Sequence, residues 1–301
     1  MDDPITIIDL EKRYGTTRAL DGLTMAVAAG SVHGFLGPNG SGKSTTLRIL
    51  LGLAREDAGS VRVFGYHPWR HAGLVNTRLA YVPGDVSLWP SLTGGEVLNL
   101  LGEVHGNVNL TRRAQLVDRF DLDPTKKTRS YSQGNRQKVA LVSALSFDAE
   151  LLILDEPTTG LDPVMEAVFR QCIEERRDAG TTVLLSSHML AEVEALCDSV
   201  TIIRAGRTVE SGTLQQFRRL TRLVVRAELI GSGAALRMVS GVHDVEITGS
   251  TFSCTVDRDR LTNLLGRLAD IGVGDLSVTP LALEDLFLRD YPDTSQQPAP
   301  T

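Results

Sequence analysis

The sequence predicts an α/β protein with a mostly parallel sheet, followed by a smaller α+β unit. Three observations carry that reading. Short apolar runs alternate with helical patterns up to about residue 216. One run, residues 31–36, leads into the glycine-rich stretch Gly37-Pro38-Asn39-Gly40-Ser41-Gly42-Lys43-Ser44, and a helical pattern follows at once. Beyond Leu223 the pattern changes to brief alternating segments around a single amphipathic run.

Residues 5–10 read as the first strand, and residues 31–36 as a short buried one. The stretch after them matches G-x-x-x-x-G-K-[ST] at every fixed position, in the strand–loop–helix context this phosphate-binding loop requires. A triphosphate is a dense anion, so its loop must bring many backbone N–H groups close. Glycines allow that approach, and the N-terminus of the next helix adds favourable dipole charge. Gly37, Pro38, Asn39, Gly40, Ser41, Gly42, Lys43, Ser44 and Thr45 are therefore candidates for binding a nucleotide. Lys43 is expected to reach the β and γ phosphates, and the Ser44 hydroxyl to bind magnesium. Many phosphate-loop families share this motif, and it does not choose among them.

The alternation breaks at about 86–149, which is largely helical and ends in the run 136–147. Just ahead of that run stands Tyr131-Ser132-Gln133-Gly134-Asn135. Ser132 is a good N-cap and Gly134 permits close backbone approach, so a second anion site is one reading. A capped helix and nothing more is the other. The apolar run 151–154 ends in Asp155-Glu156-Pro157. A buried strand ending in two carboxylates places them at the carboxyl edge of a sheet, where open α/β sheets bind ligands. Asp155 would then hold the metal, and Glu156 would serve as general base or orienter for an attacking water. An ordinary strand end with an acidic turn is the plain alternative. Further strands are expected at 183–185 and 200–204, with a hairpin turn at Ala205-Gly206-Arg207 and a linking helix over 213–222.

Taken in this order and spacing, these motifs closely resemble the ATP-binding cassette (ABC) ATPases, and among them the subunits of drug and antibiotic exporters. The match is dense over residues 1–216 and loose beyond. YSQGN stands where the family has its LSGGQ signature. Ser132 and Gly134 keep the key positions, while Tyr131, Gln133 and Asn135 depart. The resemblance implies ATP and magnesium as cofactors, Tyr14 stacked on adenine, and Gly160-Leu161-Asp162-Pro163 against an opposite subunit. It implies that His188, after the run 182–185, reaches the γ-phosphate and couples to Glu156. Catalysis would thus rest on Glu156, His188 and Lys43, with Ser44 and Asp155 at the metal. One departure is plain. Gly84 occupies the place of a glutamine that normally attends the metal, so Asp85 or a water is expected to substitute there. The resemblance also implies a head-to-tail dimer of two copies and an integral membrane permease as partner. The location implied is the cytoplasmic face of the cell membrane, peripheral, via that permease.

Composition is that of an ordinary soluble globular protein. The chain has 301 residues, net charge −6, and 42% hydrophobic and 23% charged residues, enough for one sizeable α/β domain and a small one. With no strong Lys/Arg cluster, no nucleic-acid face is expected. No apolar stretch approaches the roughly 18 residues that span a bilayer. Cys172, Cys197 and Cys254 form no CxxC and read as buried, reduced thiols. A soluble cassette ATPase acting on ribosome or nucleic acid is the competing reading; such chains carry two cassettes or long coiled coils, and neither is present here. A non-hydrolysing binding module is a third, opposed by the presence of Lys43, Asp155, Glu156 and His188.

The expected organisation is a nucleotide-binding domain at 1–216 with its helical lobe at about 86–149, a linker at 217–222, and an accessory domain at 223–290. A polar Pro/Gln-rich tail at 291–301 has the composition of a disordered segment. In the accessory domain, strands at 223–229, 242–247, 251–256 and 276–279 and a helix at 258–270 suggest a β-α-β-β-α-β, ferredoxin-like sandwich.

Overall fold

The computed structural model describes residues 3–220 and 222–280; the expected tail at 291–301 and the last part of the accessory domain expected at 223–290 lie outside these. The chain divides into two compact units that meet in sequence at Gly212 and Thr213.

In the first unit, β1 (Ile5–Tyr14), β2 (Thr17–Val27), β3 (Val32–Leu36), α1 (Lys43–Leu50) and β4 (Ala58–Val63) come first. Then follow α2 (Ala72–Asn76), β5 (Leu79–Val82), α3 (Gly94–His105), α4 (Leu110–Arg119) and α5 (Gln133–Leu145). The unit closes with β6 (Leu151–Asp155), α6 (Pro163–Asp178), β7 (Thr182–Ser187), α7 (Leu190–Leu196), β8 (Ser199–Arg204) and β9 (Arg207–Thr213). Six strands form one sheet in the order β5-β6-β7-β3-β8-β9, with parallel pairing from β5 through to β8. Every residue of β3, β6 and β7 is buried. Strands covered on both faces cannot alternate polar with apolar, which is why they read as short continuous apolar runs.

A second sheet was not expected. β2, β1 and β4 pair antiparallel in that order. Its inward residues Ile5, Ile7, Leu10, Leu23, Met25, Val27, Val61 and Val63 join Phe35, Leu47 and Leu50 in one core cluster. Register shifts interrupt β1 between Ile7 and Leu10, where Asp9 takes a left-handed φ of 49°. Such a bulge breaks the two-residue period, so the pattern shows the strand only to Leu10 and not on to Tyr14.

The register of the parallel sheet builds the site. Leu36 pairs with Ser187, and Asp155 with Ser186. The carboxyl ends of β3, β6 and β7 therefore lie side by side, and Gly37, Glu156 and His188 each follow one of them. The lobe helices α3, α4 and α5 are inserted between β5 and β6. α3 begins with a capping box from Thr93 and Glu96. Tyr131 is buried and its hydroxyl donates to the Asp123 carbonyl at 2.5 Å. Tyr131 is thus part of the packing inside the lobe. Beneath the phosphate loop, His33 of β3 is buried between Ser199 and Thr201, and burial lowers its pKa to about 4.

The second unit holds α8 (Leu214–Leu220), β10 (Leu223–Leu229), β11 (Val242–Thr248), β12 (Thr251–Val256), α9 (Leu261–Ile271) and β13 (Val273–Pro280). The sheet order is β11-β12-β10-β13, antiparallel throughout. Leu264 and Leu268 of α9 pack on Val225, Phe252 and Val256. The expected first helix of the sandwich is reduced to a five-residue 3-10 segment, Ala234–Met238. The strand order survives because Leu236, fully buried on that segment, still covers the sheet.

Candidate nucleotide site

The phosphate loop connects β3 to α1. Gly37 N donates to Ser187 O at 3.3 Å, and Gly206 N to Ser41 O at 2.8 Å, so β7 and the β8–β9 turn hold the loop from two sides. Pro38, Asn39 and Gly40 are exposed at its tip. Gly42 turns the chain into α1 with φ 113°, and a Cβ there would meet Ala19 O at 2.8 Å. No side chain caps α1, so its first-turn N–H groups are left to a ligand. Ser44 is exposed and Thr45 half-buried on that first turn.

Lys43 is buried, and its Nζ donates to Gly37 O at 2.5 Å and Pro38 O at 3.2 Å. Burial pushes its pKa down; the charges of Glu156 and Asp155 push it back up. Its ammonium lies 4.0 Å from Glu156 Oε1. A buried cation resting on two loop carbonyls, beside an uncapped helix start, is chemically complementary to a polyphosphate.

Asp155 ends β6. Ser186 Oγ donates to its Oδ1, and burial raises its pKa. Ser186 was not anticipated from sequence, since only the β6–β7 register reveals it. The Ser44 hydroxyl and the Asp155 carboxylate are hard oxygen donors of the kind magnesium prefers. The residue beside Asp155 is Gly84: a Cβ there would lie 3.6 Å from Asp155 Oδ2. Asp85 is exposed and lines a cleft with Ser87, Thr128, Arg129 and Arg136.

Glu156 carries a left-handed backbone, φ 47°, held by Glu156 N donating to Ser186 O at 3.0 Å. A non-glycine residue in that region is strained, and such strain concentrates at functional sites. His188 Nδ1 stands 3.2 Å from Glu156 Oε1, and the ring is half exposed. The structure thus brings Lys43, Asp155, Glu156 and His188 together. Tyr14 ends β1, exposed, with Lys12 Nζ 5.5 Å from its ring centre.

Ser132 and Gly134 lie at the start of α5, against the turn after Glu156. Ser132 Oγ accepts from Asn135 N at 3.3 Å and caps α5. A Cβ on Gly134 would meet Gly160 O at 2.3 Å, so in the single chain this glycine is required by the turn after Glu156. Gln137 Nε2 donates to Pro157 O at 3.0 Å and fastens the same two segments. No hydrogen bond among the described residues joins Ser132 or Gly134 to the phosphate loop. Asp162 caps α6 through Val164 N and Met165 N, both at 3.0 Å.

Comparison with known proteins agrees with this geometry. The family described as "ABC transporter" matches residues 20–159. The chain is 37% identical over 303 residues to daunorubicin resistance ATP-binding protein DrrA3 of Streptomyces coeruleorubidus, covering 96% of each. It is 34% identical to Nod factor export ATP-binding protein I of Paraburkholderia xenovorans, covering 93% of this chain and 94% of that protein. A solved ATP-binding subunit of an ABC transporter superposes with TM-score 0.67 and 32% identity, over 72% of this chain and 92% of that one. The chain therefore belongs to the ABC transporter family, as one of its ATP-binding, ATP-hydrolysing subunits.

Proposed function

We propose that this subunit powers export of drugs, antibiotics or other hydrophobic compounds through a separate integral membrane permease. The observation that carries the mechanism is the gathering of Lys43, Asp155, Glu156 and His188 at three adjacent strand ends, while no hydrogen bond among the described residues joins Ser132 or Gly134 to the phosphate loop. One chain holds half of two sites. Two copies arranged head to tail would bring each Ser132 and Gly134 over the nucleotide of the other. Relatives named for daunorubicin resistance and Nod factor export support the direction of transport.

Within each site, Gly37, Pro38, Asn39, Gly40, Ser41, Gly42 and Thr45 offer the cradle for the phosphates, and Tyr14 offers its exposed ring to the adenine. Lys43 neutralises charge on the β and γ phosphates. Glu156 takes the proton of the attacking water, and His188 holds the γ-phosphate and orients Glu156. Ser44 and Asp155 would hold magnesium, which would supply charge neutralisation on the phosphate oxygens. Gly84 has no side chain to offer beside Asp155, so Asp85, the next residue, or a water would take that place at the metal. Asp85→Ala is expected to lower hydrolysis several-fold at limiting magnesium and to recover at high magnesium; unchanged magnesium dependence would remove Asp85 from the metal shell.

We read the division of labour as a motor at 1–216, a linker at 217–222 and an accessory domain at 223–290; the compact units themselves divide slightly earlier, between Gly212 and Thr213. No helix among the described residues is long and apolar enough to cross a membrane. We place the subunit at the cytoplasmic face of the membrane, held by its permease. The net charge of −6 does not favour nucleic acid as the partner. The test is to recover tagged Glu156→Gln with ATP from membranes of the native cell. A polytopic membrane protein is the expected companion; ribosomes or DNA-bound proteins in its place would overturn the transport reading and leave the ATPase assignment standing.

A further inference from the structure

We propose that Glu192 is a positioning residue for hydrolysis: its single carboxyl group ties the turn after Glu156 to the loop that carries His188. The inference rests on the roles given above to Glu156 and His188. Glu192 lies on α7, and its two oxygens go to different segments. Oε1 accepts from Thr158 Oγ1 at 3.0 Å, and Oε2 accepts from Ser187 Oγ at 2.5 Å. Thr158 is two residues after Glu156, and Ser187 directly precedes His188. The carboxyl group therefore bridges the outer flanks of a pair whose own contact is the 3.2 Å approach of His188 Nδ1 to Glu156 Oε1.

The usual duty of an acidic residue in a first helical turn does not account for this arrangement. Such a residue reaches back to free N–H groups at the helix start. Here Met189 N donates instead to Ser187 Oγ at 2.9 Å, and no side chain of the N-cap residue caps α7. Both Glu192 oxygens are left for the two hydroxyls. The ties continue inward on each side. Ser187 O accepts from Gly37 N at 3.3 Å, joining the His188 loop to the phosphate loop. Thr159 N donates to Glu156 O at 3.2 Å, and Leu161 N to Thr158 O at 2.9 Å, so the tethered turn also shapes the segment leading to Gly160. Burial pushes the Glu192 carboxyl up, and the Ser187 and Thr158 hydroxyls draw it back down. Both protonation states keep an acceptor for at least one hydroxyl.

The experiment is steady-state magnesium-ATP hydrolysis by the full chain, with melting curves as control. Glu192→Ala is expected to lower kcat about 10-fold with KM for ATP within about 2-fold, because it loosens the geometry of the reacting groups and not nucleotide binding. Glu192→Gln, whose amide still spans both hydroxyls, is expected to stay within about 3-fold of wild type. Adding Thr158→Val to Glu192→Ala should cost nothing further, since both break one bridge. A kcat of Glu192→Ala within about 2-fold of wild type overturns the proposal. So do a Gln variant as slow as Ala, an additive double variant, and a loss of kcat accompanied by an equal rise in KM and a collapsed melting temperature. Glu156→Gln is run in parallel. If it turns over normally, the reading of the whole site fails and the bridge with it; if it is silent while Glu192→Ala is normal, only the bridge fails.

Discussion

Glu156→Gln is expected to reduce ATP turnover by about 10²–10⁴-fold, the range a positioned general base contributes, while ATP still binds. The substitution keeps the shape of the side chain and removes its negative charge and its capacity to take a proton. The backbone at this position is already in the left-handed region, φ 47°, and is held there by Ser186 O, so glutamine inherits the same conformation at similar cost. Removing the negative charge also frees Lys43, whose ammonium is 4.0 Å from Glu156 Oε1, to face the phosphates with less competition. ATP affinity should therefore hold or improve. Single-turnover phosphate release, read beside equilibrium nucleotide binding, checks both halves. Release within about 3-fold of wild type would remove Glu156 from the base role.

What the sequence could and could not disclose follows from the period and range of each signal. The phosphate loop and the strand ending at Asp155 are local features: residue type and immediate neighbours are enough to place them, and they stand where expected. The strands β3 and β7 were legible because full burial leaves each a short apolar stretch, Phe35-Leu36 in one and Val183-Leu184-Leu185 in the other. β2 and β4 were not, since the β1–β2 pairing carries bulges and β4 begins with exposed Ala58 and Gly59. Pair contacts across the sheet were invisible in principle. Nothing local marks Ser186 as the donor to Asp155, or Glu192 as the acceptor for Thr158, because those contacts depend on register between strands and on where α7 begins. Gly134 shows the converse. Its residue type announces a close approach, and the structure adds a neighbour, Gly160 O, that the sequence did not name.

Lys43→Met is expected to lower ATP affinity by about 100-fold, near 3 kcal/mol, and to leave the nucleotide-free protein as stable as wild type or slightly more so. The two effects have one cause. Lys43 is buried, and burial pushes its pKa down, so the charged form is held in the folded protein against its solvation. The carbonyls of Gly37 and Pro38 and the nearby carboxylates of Glu156 and Asp155 offset that cost without making the position a source of stability. Methionine fills the channel of the lysine stem and removes the desolvation cost; two carbonyls lose a donor in return, and Pro38, at the exposed tip, regains water. Once a triphosphate is present the balance reverses, because the ammonium then makes charge-assisted bonds that no neutral side chain can replace. The expected signature is a melting temperature that no longer rises when ATP is added, although the protein alone melts as before. An affinity within about 3-fold of wild type would contradict the phosphate-loop assignment. A large loss of stability without ATP would mean that Lys43 holds the loop together, and that its burial is structural before it is functional.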